Sequence, residues 1–144
     1  MTKQSVYLLI VLVLWGLIPI LDKKGLAGES VSSSLGLMIR LVFAVLVVFP
    51  FWLKSPALQE EWKTISWKAV GLFAASGLIS MVVAQYFYYE ALKEKSVARL
   101  FPILFGGAPV VSTLLAWLFL GESISPAMGI GCFLIAIGSG LMFF

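Results

Sequence analysis

Five stretches of strongly apolar, almost uncharged sequence dominate this chain. Each is close to the 20 or so residues that an α-helix needs to cross the hydrocarbon core of a membrane, and only short polar segments separate them. We predict transmembrane helices over residues 5–21, 31–53, 69–89, 97–120 and 126–144. The sequence therefore predicts an all-α integral membrane protein whose residues 1–144 form one transmembrane domain of five helices.

The overall composition supports a membrane location. Apolar residues make up 61% of the chain and charged residues only 12%, whereas soluble domains carry about a quarter charged residues. A soluble fold of 144 residues could not cover this much apolar surface. Membrane lipid is therefore an expected partner, and we predict a multi-pass protein of the plasma (inner) membrane.

The residue types that are missing exclude several kinds of chemistry. The chain has no histidine and one cysteine, Cys132, which excludes Ser-His-Asp and Cys-His pairs, histidine metal sites and an intrachain disulfide. An enzyme would also need clustered carboxylates or a nucleophile beside a base. The formal charge of +3 without a basic tract makes nucleic acid an implausible partner. We expect no enzyme activity, no cofactor and no metal.

The connections between the apolar segments are short. Residues 22–30 and 90–96 are predicted as charged turns, and residues 121–125 as a tight turn in which Ser125 caps the last helix. Residues 54–68 form the longest connection, and its two tryptophans among charged residues suit the lipid head-group layer.

The lysine and arginine residues of these connections give no clear orientation. The face that holds the amino terminus carries Lys3, Lys54, Lys63 and Lys68, and the opposite face carries Lys23, Lys24, Lys93, Lys95 and Arg99. Cytoplasmic loops normally hold the excess of positive charge, and four against five is no excess. Either a partner fixes the orientation, or copies insert both ways and pair antiparallel.

Arg40 interrupts the apolar sequence of the second helix. Ionisable residues inside a membrane are costly and are candidates for function. Arg40 either extends its side chain to the nearby membrane surface or lines a polar cavity, where it offers charge to an anionic group.

A polar and aromatic stripe is predicted near the end of the third helix. Helical spacing brings together Gln85, Tyr86, Tyr89 and Glu90, which suits a substrate cavity. The alternative is an interfacial aromatic belt with a solvated glutamate. We expect this stripe and Arg40 to face one cavity, with Glu90 as the nearest candidate by residue type for the partner of Arg40 and Trp15 as an aromatic wall.

The fourth helix contains two prolines and a glycine pair within two turns, Pro102, Gly106, Gly107 and Pro109. Proline removes a backbone hydrogen bond, and interrupted helices at mid-membrane depth are typical of transporter sites. The pattern predicts a hinge, close helix packing, or both. Ser112 adds a hydroxyl that we assign to the cavity lining.

Several motifs resemble EamA-type domains of the drug/metabolite transporter superfamily. In WGLIPILDK, Trp15 and Gly16 precede Lys23 by eight and seven positions, as in the family's first helix. Arg40 with Ala44 resembles the second-helix arginine. The Ala-Leu pair that follows YFYYE resembles the third-helix ending, and the Leu-Gly-Glu sequence that ends at Glu122 resembles the close of the fourth helix.

The resemblance implies a secondary transporter of small metabolites or drug-like solutes. Most family members carry two such domains and ten helices, so this chain resembles a single-repeat member that works as a dimer, antiparallel or with a paralogous five-helix partner. The alternative is a non-transporting subunit of a heteromeric membrane complex. Lys23 and Glu122 are expected to be structural, and we expect the Glu122 carboxylate to bond N–H groups at the start of the last helix.

Overall fold

The computed structural model describes residues 3–27 and 31–142. Six helices make up most of these residues, and no β-strand occurs among them. They are α1 (Lys3–Ala27), α2 (Ser33–Leu53), α3 (Pro56–Thr64), α4 (Trp67–Glu94), α5 (Val97–Leu120) and α6 (Pro126–Leu141). The all-helical prediction is therefore confirmed.

Within the described residues, four helices are long and apolar enough to cross a membrane, namely α1, α2, α4 and α5. The fifth apolar helix, α6, has 16 described residues, a length of about 24 Å at 1.5 Å per residue. Its predicted end at residue 144 lies outside the described residues. The structure thus supports the expected count of five membrane helices, with the last one the shortest.

The contacts between residues divide the chain into two compact units. Unit 1 contains the described residues up to Ile20 and those from Glu94 onward, and unit 2 contains Leu21–Lys93. Each unit has its own set of packed helices.

Serine side chains define where four of the helices begin. The Oγ atoms of Ser32, Ser55, Ser66 and Ser125 each accept a hydrogen bond from the backbone N–H three residues later. Such caps satisfy N–H groups that have no partner inside the helix. The predicted cap at Ser125 is confirmed, with Pro126 in the first turn, where a missing N–H costs nothing.

Two segments predicted as charged turns are largely helical. Residues 22–27 continue α1, and residues 90–94 complete α4, which leaves only residues 95–96 between α4 and α5. The remaining part of the first predicted turn, residues 28–30, lies outside the described residues. Two of these charged residues have charged partners in the structure: Asp22 pairs with Arg40, and Glu90 pairs with Lys93 one turn away.

The long connection at residues 54–68 contains a helix that the sequence analysis did not predict. Helix α3 begins at the Ser55 cap with Pro56 in its first turn, and Glu60 pairs with Lys63 at 2.6 Å. The Gln59 amide donates to the Leu53 carbonyl at 2.9 Å. It thereby satisfies a carbonyl at the end of α2 and holds α3 against that end.

Two membrane helices contain π-helical turns. The middle of α4, Leu78–Val83, and the last turn of α5, Ala116–Leu120, have the wider hydrogen-bond pattern. A π-helical turn inserts an extra residue and shifts the side chains that follow it around the helix. The faces of these helices consequently cannot be read from a uniform helical period.

In unit 1, α5 and α6 form an antiparallel hairpin. The chain reverses at Gly121, whose φ of 66° lies in the left-handed region that glycine adopts without a steric penalty. The Cys132 thiol lies 3.6 Å from the Thr113 hydroxyl, and the Ser139 hydroxyl lies 3.5 Å from the Pro102 carbonyl. These pairs lie progressively farther from the turn, as an antiparallel arrangement requires.

Most large apolar side chains are exposed within the chain itself. Trp67 is 85% exposed and Phe119 is 76% exposed, whereas the buried apolar side chains among the described residues are Pro19, Leu37, Tyr89, Leu92 and Leu100. In a multi-pass membrane protein this outer apolar surface contacts lipid, which does not disfavour it.

Gly106 provides a test of the α5–α6 packing. A Cβ atom at Gly106 would collide with the Ser139 hydroxyl and lie 3.1 Å from the Ser139 Cβ, whereas one at Gly107 would meet nothing within 4 Å. Overpacking typically costs about 1–3 kcal/mol. We therefore expect Gly106→Val to lower the thermal unfolding temperature of the purified protein in detergent, and the matched control Gly107→Val to change it much less. Equal shifts for the two variants would contradict this packing.

Candidate functional site

Three polar side chains of unit 2 form one hydrogen-bonded network. The Arg40 Nη1 donates to the Asp22 Oδ2 at 3.2 Å and to the Tyr89 hydroxyl at 3.5 Å. The Tyr89 hydroxyl donates to the Asp22 Oδ1 at 3.1 Å. Both carboxylate oxygens of Asp22 are thus occupied, and the residues come from α1, α2 and α4.

A glycine on α2 allows Tyr89 to reach this network. A Cβ atom at Gly36 would lie 3.3 Å from the Tyr89 Cε2, so the ring rests closely against the α2 backbone. Tyr89 is only 3% exposed. Gly36 and Arg40 are four residues apart and lie on one face of α2, which places the ring and the guanidinium side by side.

Lys23 joins α1 to the end of α4. Its ammonium group donates to the backbone carbonyls of Leu92 and Lys93, which belong to the last turn of α4. The last carbonyls of a helix have no partner within it and carry partial negative charge, so a cation is favourable there. This contact is of the kind expected of a structural residue.

Arg40 keeps hydrogen-bonding capacity beyond the network. Its side chain is 39% exposed, against 13% for Asp22. Within the described residues, its side-chain hydrogen bonds leave from Nη1, although a guanidinium group carries five N–H donors. The outer edge of Arg40 can therefore bind an acceptor from outside the chain.

An open apolar groove of about 610 Å³ lies along the same helix. Its lining residues are Leu41, Ala44, Val45, Val48, Phe49, Trp52, Trp62 and Met81. Six of them belong to α2, one to α3 and one to the π-helical turn of α4. The groove begins one residue after Arg40.

The residues of the predicted α4 stripe occupy different environments. Gln85 is partly buried, and Tyr86 is 38% exposed and stacks edge-on against Phe87. Glu90 is exposed and pairs with Lys93 at 3.4 Å. The carboxylate beside Arg40 is therefore that of Asp22 and not that of Glu90.

Asp22 was missed as a site residue because residues 22–30 were expected to form a turn. The available signal was its position beside Lys23 in the first-helix motif. An acidic residue so close to the end of a membrane helix lies within reach of a basic residue on the next helix.

Trp15 belongs to unit 1, where its ring lies 5.5 Å from that of Phe105, edge to face. Phe105 in turn lies 4.1 Å from Phe101. The shared cavity predicted for Trp15 and Arg40 stays a prediction.

The residues predicted as a hinge lie within continuous helix. Helix α5 runs through Pro102, Gly106, Gly107 and Pro109 without a break. Gly106 packs against α6, while Gly107 has open space beside it. The hinge itself remains a prediction, and close packing applies to one glycine of the pair.

Ser112 and Glu122 line a small pocket of about 200 Å³ at the α5–α6 turn. Both residues are exposed. The side-chain hydrogen bond to the first turn of α6 comes from the Ser125 Oγ, and the described residues show no such bond from the Glu122 carboxylate. Among the same residues, no group of three or more Cys, Asp or Glu side chains is arranged to hold a metal ion.

Comparison with known proteins decides the family. The sequence model of the EamA-like transporter family matches residues 2–144. The chain belongs to the EamA-like transporter family. No curated protein and no solved structure matches it at a significant level.

Family membership confirms the resemblance that the sequence motifs indicated. The EamA-like chain carries one domain of the drug/metabolite transporter superfamily across residues 2–144. It is a multi-pass membrane protein of a family of transporters, which are not enzymes. In this EamA-like chain, the Asp22–Arg40–Tyr89 network is a polar cluster that joins three different helices.

The network predicts unequal effects for two carboxylates at the same end of unit 2. Asp22→Asn leaves Arg40 without its charged partner, and removing a hydrogen bond to a charged group costs about 1.5–3 kcal/mol. Glu90→Gln removes an exposed charge pair with Lys93, for which about 0–1 kcal/mol is typical, and keeps a side-chain oxygen that can accept a hydrogen bond from Ser33. We expect Asp22→Asn to lower the thermal unfolding temperature in detergent clearly more than its control, Glu90→Gln. Similar losses would argue against a structural network at Asp22.

Proposed function

We propose that this protein is a secondary transporter that moves a small metabolite or drug-like solute across the plasma membrane by alternating access. The observation that carries the proposal is the Asp22–Arg40–Tyr89 network in a chain of the EamA-like transporter family. Charged residues are costly within membrane helices, and those that occur there commonly mark substrate or ion pathways.

The network suits a transport cycle because its ion pair, between Arg40 and Asp22, is only partly buried. Arg40 is held by Asp22 and Tyr89, while its outer edge remains accessible. A substrate that competes for these hydrogen bonds changes the contact between α1, α2 and α4. Differential contacts of this kind are what allows a ligand to shift a protein between two states.

We propose a dimer of five-helix units, arranged antiparallel, as the working form. Alternating access in transporters with inverted repeats arises when two units of opposite orientation rock around a shared site. Residues 2–144 supply one domain of the family, and we infer that a second copy of the chain supplies the second domain. The loop charges support this, because four lysines on one face against five basic residues on the other barely favour either orientation.

The first test measures transport by the protein alone. The purified chain is reconstituted into liposomes and given a panel of radiolabelled amino acids, sugars and organic anions. We expect saturable uptake of at least one class, and at least about a tenfold loss of uptake in Arg40→Ala because hydrogen bonds to charged groups are worth about 1.5–3 kcal/mol. Glu61→Gln, an exposed residue of α3, is the control.

The outcome also separates the transporter from the alternative of a non-transporting subunit. If the protein alone transports nothing but supports flux together with a second membrane protein, the heteromeric subunit is correct. Normal uptake by Arg40→Ala would show that the network is not part of the transport site.

The second test measures orientation. A reporter fused after residue 144 should be found on both sides of the membrane in comparable amounts if copies insert both ways. Two or three lysines added to residues 121–125 should bias insertion and reduce uptake, because they deplete one of the two orientations. A reporter found on one side only, with uptake by the single protein intact, would exclude the antiparallel homodimer.

A further inference from the structure

The polar network and the apolar groove are connected by one row of α2 residues at four-residue spacing. Arg40, Ala44 and Val48 follow one another at four-residue spacing, and Ala44 and Val48 line the groove. Trp52 continues the series at the end of the helix. A single ligand lying along this row would meet a charged group at one end and only apolar side chains beyond it.

The dimensions of this row suit an elongated ligand. Arg40 and Trp52 are twelve residues apart, about 18 Å along a helix axis, or somewhat more than half of a hydrocarbon core about 30 Å thick. The groove volume of about 610 Å³ lies within the range of small-molecule sites, roughly 300–1,000 Å³. Trp52 and Trp62 are among its lining residues.

The hydrogen bonds of the network determine which head group fits. Both Asp22 oxygens accept bonds from within the network, and the Tyr89 hydroxyl donates its hydrogen to Asp22. What remains available at the network is therefore donor capacity, on the exposed edge of Arg40. An acceptor is required there, and an anionic acceptor forms the stronger bond with a guanidinium group.

The depth of Arg40 favours a single-chain amphiphile over a phospholipid. Arg40 lies seven residues after Ser33, the first residue of α2, about 10 Å along the axis. A compact carboxylate can enter to this depth, whereas a bulky phospholipid head group remains at the membrane surface.

We propose that the substrate class is an amphipathic organic anion whose carboxylate binds the free edge of Arg40 and whose unbranched apolar body lies in the groove of α2, Trp62 and Met81. That the bound anion is transported rests on the proposed function. The binding of the anion to this site does not depend on the proposed function.

The proposal predicts that removing the negative charge of Asp22 raises the affinity for the ligand. Its carboxylate offsets the charge of Arg40, so Asp22→Asn should strengthen the binding of an anion. A ligand with a cationic head group would instead be attracted by the Asp22 carboxylate, and Asp22→Asn would weaken its binding. The direction of this one effect distinguishes the two head-group charges.

The experiment measures equilibrium binding of radiolabelled dodecanoate to the full chain in lipid nanodiscs, with protein-free nanodiscs to correct for partitioning. We expect saturable binding that dodecyltrimethylammonium does not displace. Arg40→Gln should weaken it at least about tenfold, since hydrogen bonds to charged groups contribute about 1.5–3 kcal/mol. Asp22→Asn should tighten it several-fold.

Two tryptophan variants test the groove. Ala44→Trp fills the groove one turn from Arg40 and should weaken dodecanoate binding about as much as Arg40→Gln does. Ala136→Trp, at an exposed position of α6 outside the groove, should leave binding unchanged. If Arg40→Gln does not fold, Arg40→Lys replaces it, because it keeps the charge, loses the planar donor edge and should still weaken binding.

The outcomes separate the inference from the function it rests on. Unsaturable uptake into the nanodiscs, displacement by the cation, weaker binding in Asp22→Asn or normal binding in Ala44→Trp would each overturn the proposed ligand. If dodecanoate does not bind but liposomes still take up another solute, this inference fails and the transporter stands. Saturable dodecanoate binding without any flux would uphold the site and contradict transport.

Discussion

The arrangement of unit 2 depends on one acceptor, the carboxylate of Asp22. Arg40 and Tyr89 come from different helices, and each donates to a separate oxygen of this group. In a membrane an arginine without a partner is costly, and a buried tyrosine hydroxyl also needs a partner. Asp22 satisfies both requirements at once, which explains why α1 continues as helix beyond its apolar part.

Two contacts that are not ion pairs also reinforce the same end of the unit. Lys23 donates to the last carbonyls of α4, and Gly36 lets the Tyr89 ring lie against α2. Polar groups are thus concentrated at one end of α2, and the rest of this face is left apolar. That separation produces an amphipathic surface on a single helix, and it is the physical basis for the ligand that we infer.

Unit 1 is organised by close packing instead. The α5–α6 hairpin has small or weakly polar groups at its contacts, where Gly106 meets Ser139 and Thr113 meets Cys132. Small residues bring helices close together where apolar burial gives no driving force, because lipid is as apolar as the helix surface. The prolines of α5 leave its path continuous, so the proline pattern by itself did not determine whether the helix breaks.

The sequence by itself determined the membrane class, the apolar helices, the Ser125 cap and the family, because hydrophobic length and local motifs are properties of contiguous residues. It also singled out Arg40. Tertiary structure alone decided that Asp22 is the partner of Arg40, that Tyr89 is buried while Glu90 is exposed, and that α2 carries a groove. These features depend on contacts between residues far apart in sequence, and the π-helical turn in α4 alters which side chains share a face. Periodicity counted along the chain contains neither kind of information.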